Sequence, residues 1–199
     1  MIKVVLFDVD GVLVNGSKFA ETLQNDYGIT RNQTRDFFRG KFLDCLIGKA
    51  DLKKEIEPFL KEWKIQLTTD EFVQYWFKSE DSVNNSLVEM VKKLKADGIH
   101  CHSATNQEQY RVDYILKEMG FADLFEKVFS SSYVGVQKPE VAYFEKIMSE
   151  LNATRDEVML WDDIDRFVEA ARQFGINAEL YTDTTNFRQI MKEKYSFNL

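Results

Sequence analysis

Val-Val-Leu-Phe-Asp-Val-Asp-Gly-Val-Leu, residues 4–13, is the most informative stretch of this chain. Residues 4–7 contain no polar side chain, which predicts a strand buried on both faces, as in a parallel sheet. Asp8 and Asp10 follow at its carboxyl end, and the two-residue period of a strand points them to the same side. At a separation of about 4 Å and an effective dielectric near 20, two such charges repel by roughly 4 kcal/mol. A proton, a lysine or a metal ion must therefore offset them, which predicts a functional site here.

The composition narrows the class of protein and of partner. The chain has 199 residues, 44% of them hydrophobic, enough for one domain core with an inserted subdomain. Its 33 acidic and 26 basic residues give a net charge of −7, which argues against nucleic acid or an anionic membrane as the partner. Cys45 and Cys101 lie in different segments, so we predict neither a disulfide framework nor a thiolate metal cluster. With no stretch of signal-peptide type or membrane-spanning length, we expect a cytoplasmic protein.

Strand-like and helix-like segments alternate from residue 81 onward. This alternation predicts an α/β fold, a Rossmann-like parallel sheet flanked by helices. Further strands are predicted over 99–104, 127–130, 158–161 and 178–181. Pro139 is expected in the first turn of a helix that runs to about residue 151, and Asp165 is expected to cap a helix that starts near Arg166.

Residues 17–78 interrupt this alternation, because they contain several helix-like pieces and no convincing strand. We interpret them as a small helical cap inserted into a core made of residues 1–16 and 79–199. The connections near Val14–Ser17 and Lys78–Asp81 would act as hinges over the carboxyl end of the sheet.

Polar clusters follow four predicted strands, at the edge of the sheet where open α/β folds bind ligands. They are Asp8 with Asp10, Thr105 with Asn106, Lys138 before Pro139, and Asp162 with Asp163. This ordered set resembles the four motifs of the haloacid dehalogenase-like hydrolase superfamily: DxDG, a Ser or Thr, a Lys and an acidic pair. The helical insertion is similar to the cap of the subfamily that contains small sugar phosphatases and β-phosphoglucomutase.

The carboxylates carry the predicted chemistry. We assign Asp8 as a nucleophile that attacks a substrate phosphorus and forms an aspartyl-phosphate, a role that the resemblance also implies. Asp10 would protonate the departing alcohol and then activate the water. Asp8, Asp162 and Asp163, with the backbone carbonyl of Asp10, form an all-oxygen ligand set that suits Mg²⁺.

The remaining site residues would bind the phosphoryl group. Thr105 and the neighbouring backbone amide of Asn106 would hold a phosphoryl oxygen, and Lys138 would offset charge on Asp8 and on the transferring group. Amides near Gly11 would add hydrogen-bond donors. Each motif also has a purely structural interpretation: turn-capping carboxylates, a helix cap, a surface lysine and a solvated acidic turn.

Two features leave alternatives open. Ile164 and Asp165 follow the acidic pair at positions where related sequences commonly carry a small or polar residue, and this difference leaves the metal affinity of the site open. In the predicted cap, Phe37, Phe38, Arg39, Lys41 and Phe42 would form either a surface that stacks on a sugar and meets a second anion, or a structural face.

The sequence therefore predicts a Mg²⁺-dependent phosphatase that acts on a small phosphorylated metabolite, such as a sugar phosphate. A phosphoglucomutase would use the same residues but return the phosphoryl group to substrate. A dehalogenase would need no metal and would lack the acid that Asp10 supplies. A catalytically silent ligand-binding protein of the same fold is the alternative from outside the enzymes.

Overall fold

Five parallel strands form one sheet in the order β3-β2-β1-β4-β5. The computed structural model describes residues 1–16 and 19–199. The strands are β1 (Val4–Phe7), β2 (His100–Thr105), β3 (Val128–Ser130), β4 (Val158–Asp162) and β5 (Asn177–Leu180). In the centre, Phe7 of β1 pairs with Ser103 of β2 and with Trp161 of β4. The carboxyl ends of these three strands therefore meet at one edge, and the predicted α/β fold is confirmed.

Helices cover both faces of the sheet and fill the inserted segment. Those of the insertion are α1 (Phe19–Tyr27), α2 (Arg31–Asp36), α3 (Phe42–Leu46), α4 (Leu52–Glu62) and α5 (Thr69–Ser79), with a π-helical segment, Phe37–Lys41, before α3. Those that follow are α6 (Asn85–Ala96), α7 (Gln109–Lys117), α8 (Ser131–Val134), α9 (Val141–Glu150), α10 (Asp165–Phe174) and α11 (Thr184–Tyr195). Within the described ranges, no helix is both long and apolar enough to cross a membrane.

Strand β1 is apolar because both of its faces are covered. Val5 and Phe7 belong to a hydrophobic cluster on one face of the sheet. Val4 and Leu6 belong to a second cluster on the other face. The unbroken apolar run is thus the sequence requirement of a central parallel strand.

The insertion buries a hydrophobic cluster of its own. Phe19, Phe37, Phe72 and Trp76 are at its centre, and Tyr114 of α7 joins it from the sheet side. The helix starts follow the capping rules, since Asp51 accepts a hydrogen bond from the Lys54 amide at the start of α4. The division of the chain into core and cap remains a prediction, and the predicted hinge residue Ser17 lies outside the described residues.

Two predicted helix starts are wrong. Helix α9 begins at Val141, because the Glu140 amide donates to the Gln137 carbonyl and closes a turn that contains Pro139. In α10, Ile164 occupies the capping position and its amide donates to Asp162 Oδ1 at 2.9 Å. Asp165 is therefore the first helical residue, where its charge still complements the helix dipole.

Candidate active site

The turn after β1 orients two carboxylates differently. The Asp8 amide continues the sheet by donating to the Trp161 carbonyl at 2.9 Å, and Asp8 is 6% exposed. The Asp10 side chain is 52% exposed. The two acids thus share the end of a strand, but only Asp10 reaches well into solvent.

Gly11 is the residue of this turn that admits no side chain. Its φ is +83°, and a Cβ there would lie 2.1 Å from Asp163 Oδ2. Its amide donates to the Val14 carbonyl at 2.7 Å. The turn itself thus uses the Gly11 amide, and the predicted donors near Gly11 would have to be other amides of this turn. What Gly11 supplies is the close approach of the Asp163 carboxylate.

Lys138 lies buried among the acids. Its Nζ donates to Asp162 Oδ2 at 2.5 Å and to the Ala104 carbonyl at 2.8 Å, and lies 3.3 Å from Asp8 Oδ1. Burial lowers the pKa of Lys138, but Asp8 and then Asp162 outweigh that effect and raise the pKa above its ordinary value. The residue is therefore a fixed ammonium that bridges β1, β2 and β4.

Asn106 holds Lys138 in place. Its Nδ2 donates to the Lys138 carbonyl at 3.1 Å, and its Oδ1 accepts from the Lys138 amide at 2.9 Å. The Asn106 side chain is thus committed to the backbone of the lysine. Thr105, 1% exposed, ends β2 and lines the same cavity as Asp8.

Three carboxylates converge at this edge. One oxygen each from Asp8, Asp162 and Asp163 lies within 4.8 Å of the others. Burial, and next the nearby Asp8 charge, raise the pKa of Asp162 to about 6, against the opposing effect of Lys138. Partial burial and Asp8 also raise the pKa of Asp163. Three acids face one ammonium, and such an all-oxygen donor set with excess negative charge fits a hard divalent cation. The Asp10 carboxylate lies outside this trio.

Asp10 has its own partners, which the sequence analysis missed. Gln107 Nε2 donates to Asp10 Oδ2 at 2.6 Å. The Arg111 guanidinium lies 3.5 Å from Asp10 Oδ1 and also donates to the Phe77 carbonyl at 3.0 Å. Both residues follow Thr105 closely in sequence, and that position at the functional edge is the signal that could have found them.

Glu80 is a third residue that the sequence analysis missed. It lies where the chain returns from the insertion to the sheet. Its Oε1 accepts from the Phe19 amide at 3.1 Å and its Oε2 from Trp76 Nε1 at 3.0 Å. Burial, and then the Asp10 charge, raise the pKa of Glu80 to about 7. This carboxyl group ties α1 to α5 beside the candidate site.

Two cavities adjoin at Asp10. One, of about 590 Å³, is lined by Asp8, Asp10 and Asp163, and by Thr105 and Arg166. The other, of about 290 Å³, extends from Asp10 into the insertion and is lined by Phe38 and Phe42 among other aromatic residues.

The lining of these cavities shows which side chains of residues 37–42, the aromatic and basic segment of the insertion, face the site. Phe37 is fully buried, whereas Arg39 and Lys41 are exposed and are not among the residues that line either cavity. Lys41 instead lies 3.6 Å from Glu55. The aromatic part of the segment therefore faces the site, and its two cations do not line it.

The arrangement is that of a known family. The model of the haloacid dehalogenase-like hydrolases matches residues 2–175. The chain therefore belongs to the haloacid dehalogenase-like hydrolase family.

Two similar proteins match this chain over different lengths. The phosphoglycolate phosphatase of Vibrio vulnificus strain CMCP6 is 25% identical over 186 residues, which are 87% of this chain and 81% of that enzyme. The drimenol cyclase of Aspergillus calidoustus is 23% identical over 101 residues, so the match spans 51% of this chain and only 19% of the cyclase.

Solved structures share the fold over nearly the whole chain. A HAD family enzyme of Bacteroides thetaiotaomicron superimposes with a TM-score of 0.84 at 17% identity, over 96% of this chain and 99% of that one. A second structure of that enzyme, with a TM-score of 0.81, is a complex with magnesium and inorganic phosphate.

Proposed function

We propose that this protein is a Mg²⁺-dependent phosphatase that hydrolyses a small phosphorylated metabolite through an aspartyl-phosphate on Asp8. The observation that carries the proposal is the convergence of the Asp8, Asp162 and Asp163 carboxylates, of which Asp8 and Asp162 contact Lys138, with Asp10 beside them at an open cavity. Membership of the hydrolase family supports it, as do the phosphatase names of relatives and the magnesium and phosphate in a solved structure of the same fold.

The metal would be held by the three carboxylates and the backbone carbonyl of Asp10. Their oxygens are the ligands that Mg²⁺ prefers, and the ion commonly keeps several waters. When bound, it would offset the charge of the acids and of the phosphoryl oxygens.

The protein's own groups then supply the covalent chemistry. An Asp8 oxygen attacks phosphorus, the bond from phosphorus to the ester oxygen breaks, and protonated Asp10 gives its proton to the departing alkoxide. Water next attacks the phosphorus of the aspartyl-phosphate, Asp10 takes a proton from that water, and the Asp8 carboxylate leaves. Two half-reactions thus return both acids to their starting forms.

Thr105 and Lys138 would hold the phosphoryl group during both steps. The Thr105 hydroxyl and the Asn106 amide are hydrogen-bond donors at the edge of the sheet, and the Lys138 ammonium lies 3.3 Å from Asp8. Donors fixed before the reaction stabilise charge that develops on the phosphoryl oxygens. Asn106 contributes through its backbone, because its side chain holds Lys138.

The test is phosphate release from a panel of small phosphomonoesters, with Mg²⁺ and with chelator. We expect Asp8→Asn to lower turnover by about a thousandfold or more, because it removes the nucleophile but little packing. Asp97→Asn, at an exposed position after α6, is the control for the same chemical change and should keep full activity.

Each other result has a clear meaning. Activity that survives in Asp8→Asn would rule out the aspartyl-phosphate. Isomer formation without phosphate release would indicate a mutase. Ligand binding with no turnover of any ester would indicate a silent binding protein.

A further inference from the structure

The cavity of about 290 Å³ adjoins the site at the position of the leaving group. Asp10 lines both this cavity and the larger one that contains Asp8, and so do Asn106, Gln107 and Glu80. Asp10 is the acid proposed to protonate the departing alcohol. A group attached to the ester oxygen at Asp10 therefore has this cavity directly beside it.

Five aromatic residues line one part of the cavity. They are Phe19, Phe38, Phe42, Trp76 and Phe77, with Leu46 and Ala20 between them. The Trp76 ring stacks on Phe19 with centroids 4.9 Å apart and planes 8° apart. Phe38 and Phe42 each lie 5.3 Å from Trp76. Because Phe19 and Trp76 are nearly buried while Phe38 and Phe42 are half-buried, the wall is already packed and needs little rearrangement to receive an apolar group.

The charged groups in the wall already have partners. Arg111, the one cation among the described residues that line the cavity, is held by Asp10 and by the Phe77 carbonyl. Glu80 accepts hydrogen bonds from Phe19 and Trp76, and Glu108 accepts two from the first amides of α7. Burial raises the pKa of each of these two glutamates to about 7. A carboxylate on the ligand would thus meet acids with no free cation, and a ligand cation would find each carboxylate already hydrogen-bonded.

We infer that the substrate is the phosphate monoester of a compact, uncharged, apolar alcohol whose hydrocarbon part fills this aromatic cavity. The inference rests on the phosphatase activity proposed above. The inferred substrate also differs from phosphoglycolate, the acidic ester for which some relatives are named.

The first experiment compares kcat/KM for esters that differ only in the leaving group. 2-Phenylethyl phosphate, a primary alkyl ester like its competitors, should exceed phosphoglycolate, phosphocholine and glucose 6-phosphate by about tenfold or more, the ratio expected from burying a small apolar group. A preference for phosphoglycolate, phosphocholine or glucose 6-phosphate would overturn the inference and leave the phosphatase standing. Failure to hydrolyse any of these esters or the acyl phosphate acetyl phosphate would overturn the phosphatase itself.

A matched pair of variants tests the cavity wall. Phe38 and Phe59 are both half-buried and both pack on Phe37, with centroids 5.0 and 5.3 Å away, but only Phe38 lines the cavity. Phe38→Ala should lower kcat/KM for 1-naphthyl phosphate about tenfold and leave acetyl phosphate nearly unchanged. Phe59→Ala should leave kcat/KM unchanged for both 1-naphthyl phosphate and acetyl phosphate. Equal effects of the two variants would contradict the proposed subsite.

Binding without turnover gives an independent measurement. Isothermal titration of Asp8→Asn with 1-naphthol should show binding that Phe38→Ala in the same background weakens about tenfold. Glycolate and choline should give no heat. No binding of 1-naphthol, or equal binding in both proteins, would overturn the inference whatever the activity assays show.

Discussion

At the level of single residues, Asp8 and Asp10 differ in their surroundings. Asp8 is nearly buried and shares Lys138 with Asp162. Asp10 is half-exposed and hydrogen-bonded by Gln107. Two identical side chains two positions apart therefore lie in different surroundings, which suits the two roles proposed for them, Asp8 as the nucleophile and Asp10 as the proton carrier beside the leaving group.

The first prediction concerns the positioning of Asp10. Gln107→Ala removes the 2.6 Å hydrogen bond that orients this carboxyl group, so kcat should fall about tenfold while KM changes little. Gln109→Ala, two residues on at an exposed site, is the control and should behave like the parent. Steady-state kinetics decide the matter; a rise in KM alone would mean that Gln107 binds substrate instead of positioning Asp10.

The second prediction concerns the glycine beside Asp163. Gly11 and Gly28 both have positive φ, +83° and +71°, but a Cβ contacts Asp163 only at Gly11. Alanine at either position should therefore cost about 1 kcal/mol of stability through the backbone. Only Gly11→Ala should also weaken Mg²⁺ binding, measured by titration calorimetry. Equal Mg²⁺ affinity in the two variants would contradict a metal role for Asp163.

At the level of secondary structure, α7 connects the sheet to the insertion. The Tyr110 hydroxyl donates to Asp51 at 2.8 Å, Arg111 donates to the Phe77 carbonyl, and the Tyr114 hydroxyl donates to Asp81 at 3.0 Å. This one helix thus begins beside the Thr105 motif and carries contacts to α4, α5 and the returning chain. Its N-terminal cap, Glu108, is 3% exposed.

The third prediction is a pH dependence that belongs to this cap. Burial raises the pKa of Glu108 from 4.5 to about 7, so the folded protein holds the proton more tightly than the unfolded chain. The resulting stabilisation is complete below about pH 4.5 and is lost as the pH rises through 7, a change of up to about 3 kcal/mol.

Glu108→Gln should remove this pH dependence. Relative to the parent, the variant should gain stability between pH 5 and 8 in urea unfolding measured by circular dichroism. Glu118→Gln, exposed at the other end of α7, is the control and should follow the parent. Parallel stability curves for Glu108→Gln and the parent would show that Glu108 does not titrate in this range.

For the whole molecule, the closely packed acids should link metal binding to stability. Asp8 follows β1, Asp162 ends β4 and Asp163 follows β4, so their carboxylates converge only in the native state. A ligand that binds the native state alone stabilises it, by about 2.7 kcal/mol at one hundred times its dissociation constant.

The fourth prediction follows from that linkage. MgCl₂ should raise the Tm of the parent relative to chelator, whereas KCl at equal ionic strength should not. Asp163→Asn should lose most of the Mg²⁺-dependent shift, because it removes one of the converging carboxylates. A Tm that responds equally to both salts would indicate general screening and not a metal site.

Local sequence was enough to predict the features that depend on neighbouring residues, such as the apolar run of β1 and the alternation of strands and helices. Three of the four polar motifs lie at the ends of β1, β2 and β4, whereas the short helix α8 separates Lys138 from β3. The start of α9 was predicted wrongly, because a turn over residues 137–140 outweighed the preference of Pro139 for the first turn of a helix.

What surrounds those motifs depends on contacts between segments that are far apart in sequence. Gln107 meets Asp10 across 97 residues of sequence, and Arg111 meets the Phe77 carbonyl across 34. The aromatic cavity combines α1, the π-helical segment, α3, α5 and α7, which extend from residue 19 to residue 117 of the sequence. Such contacts depend on how the insertion packs over the sheet, and packing is set by the shapes of both partners together, so no single stretch of sequence encodes it.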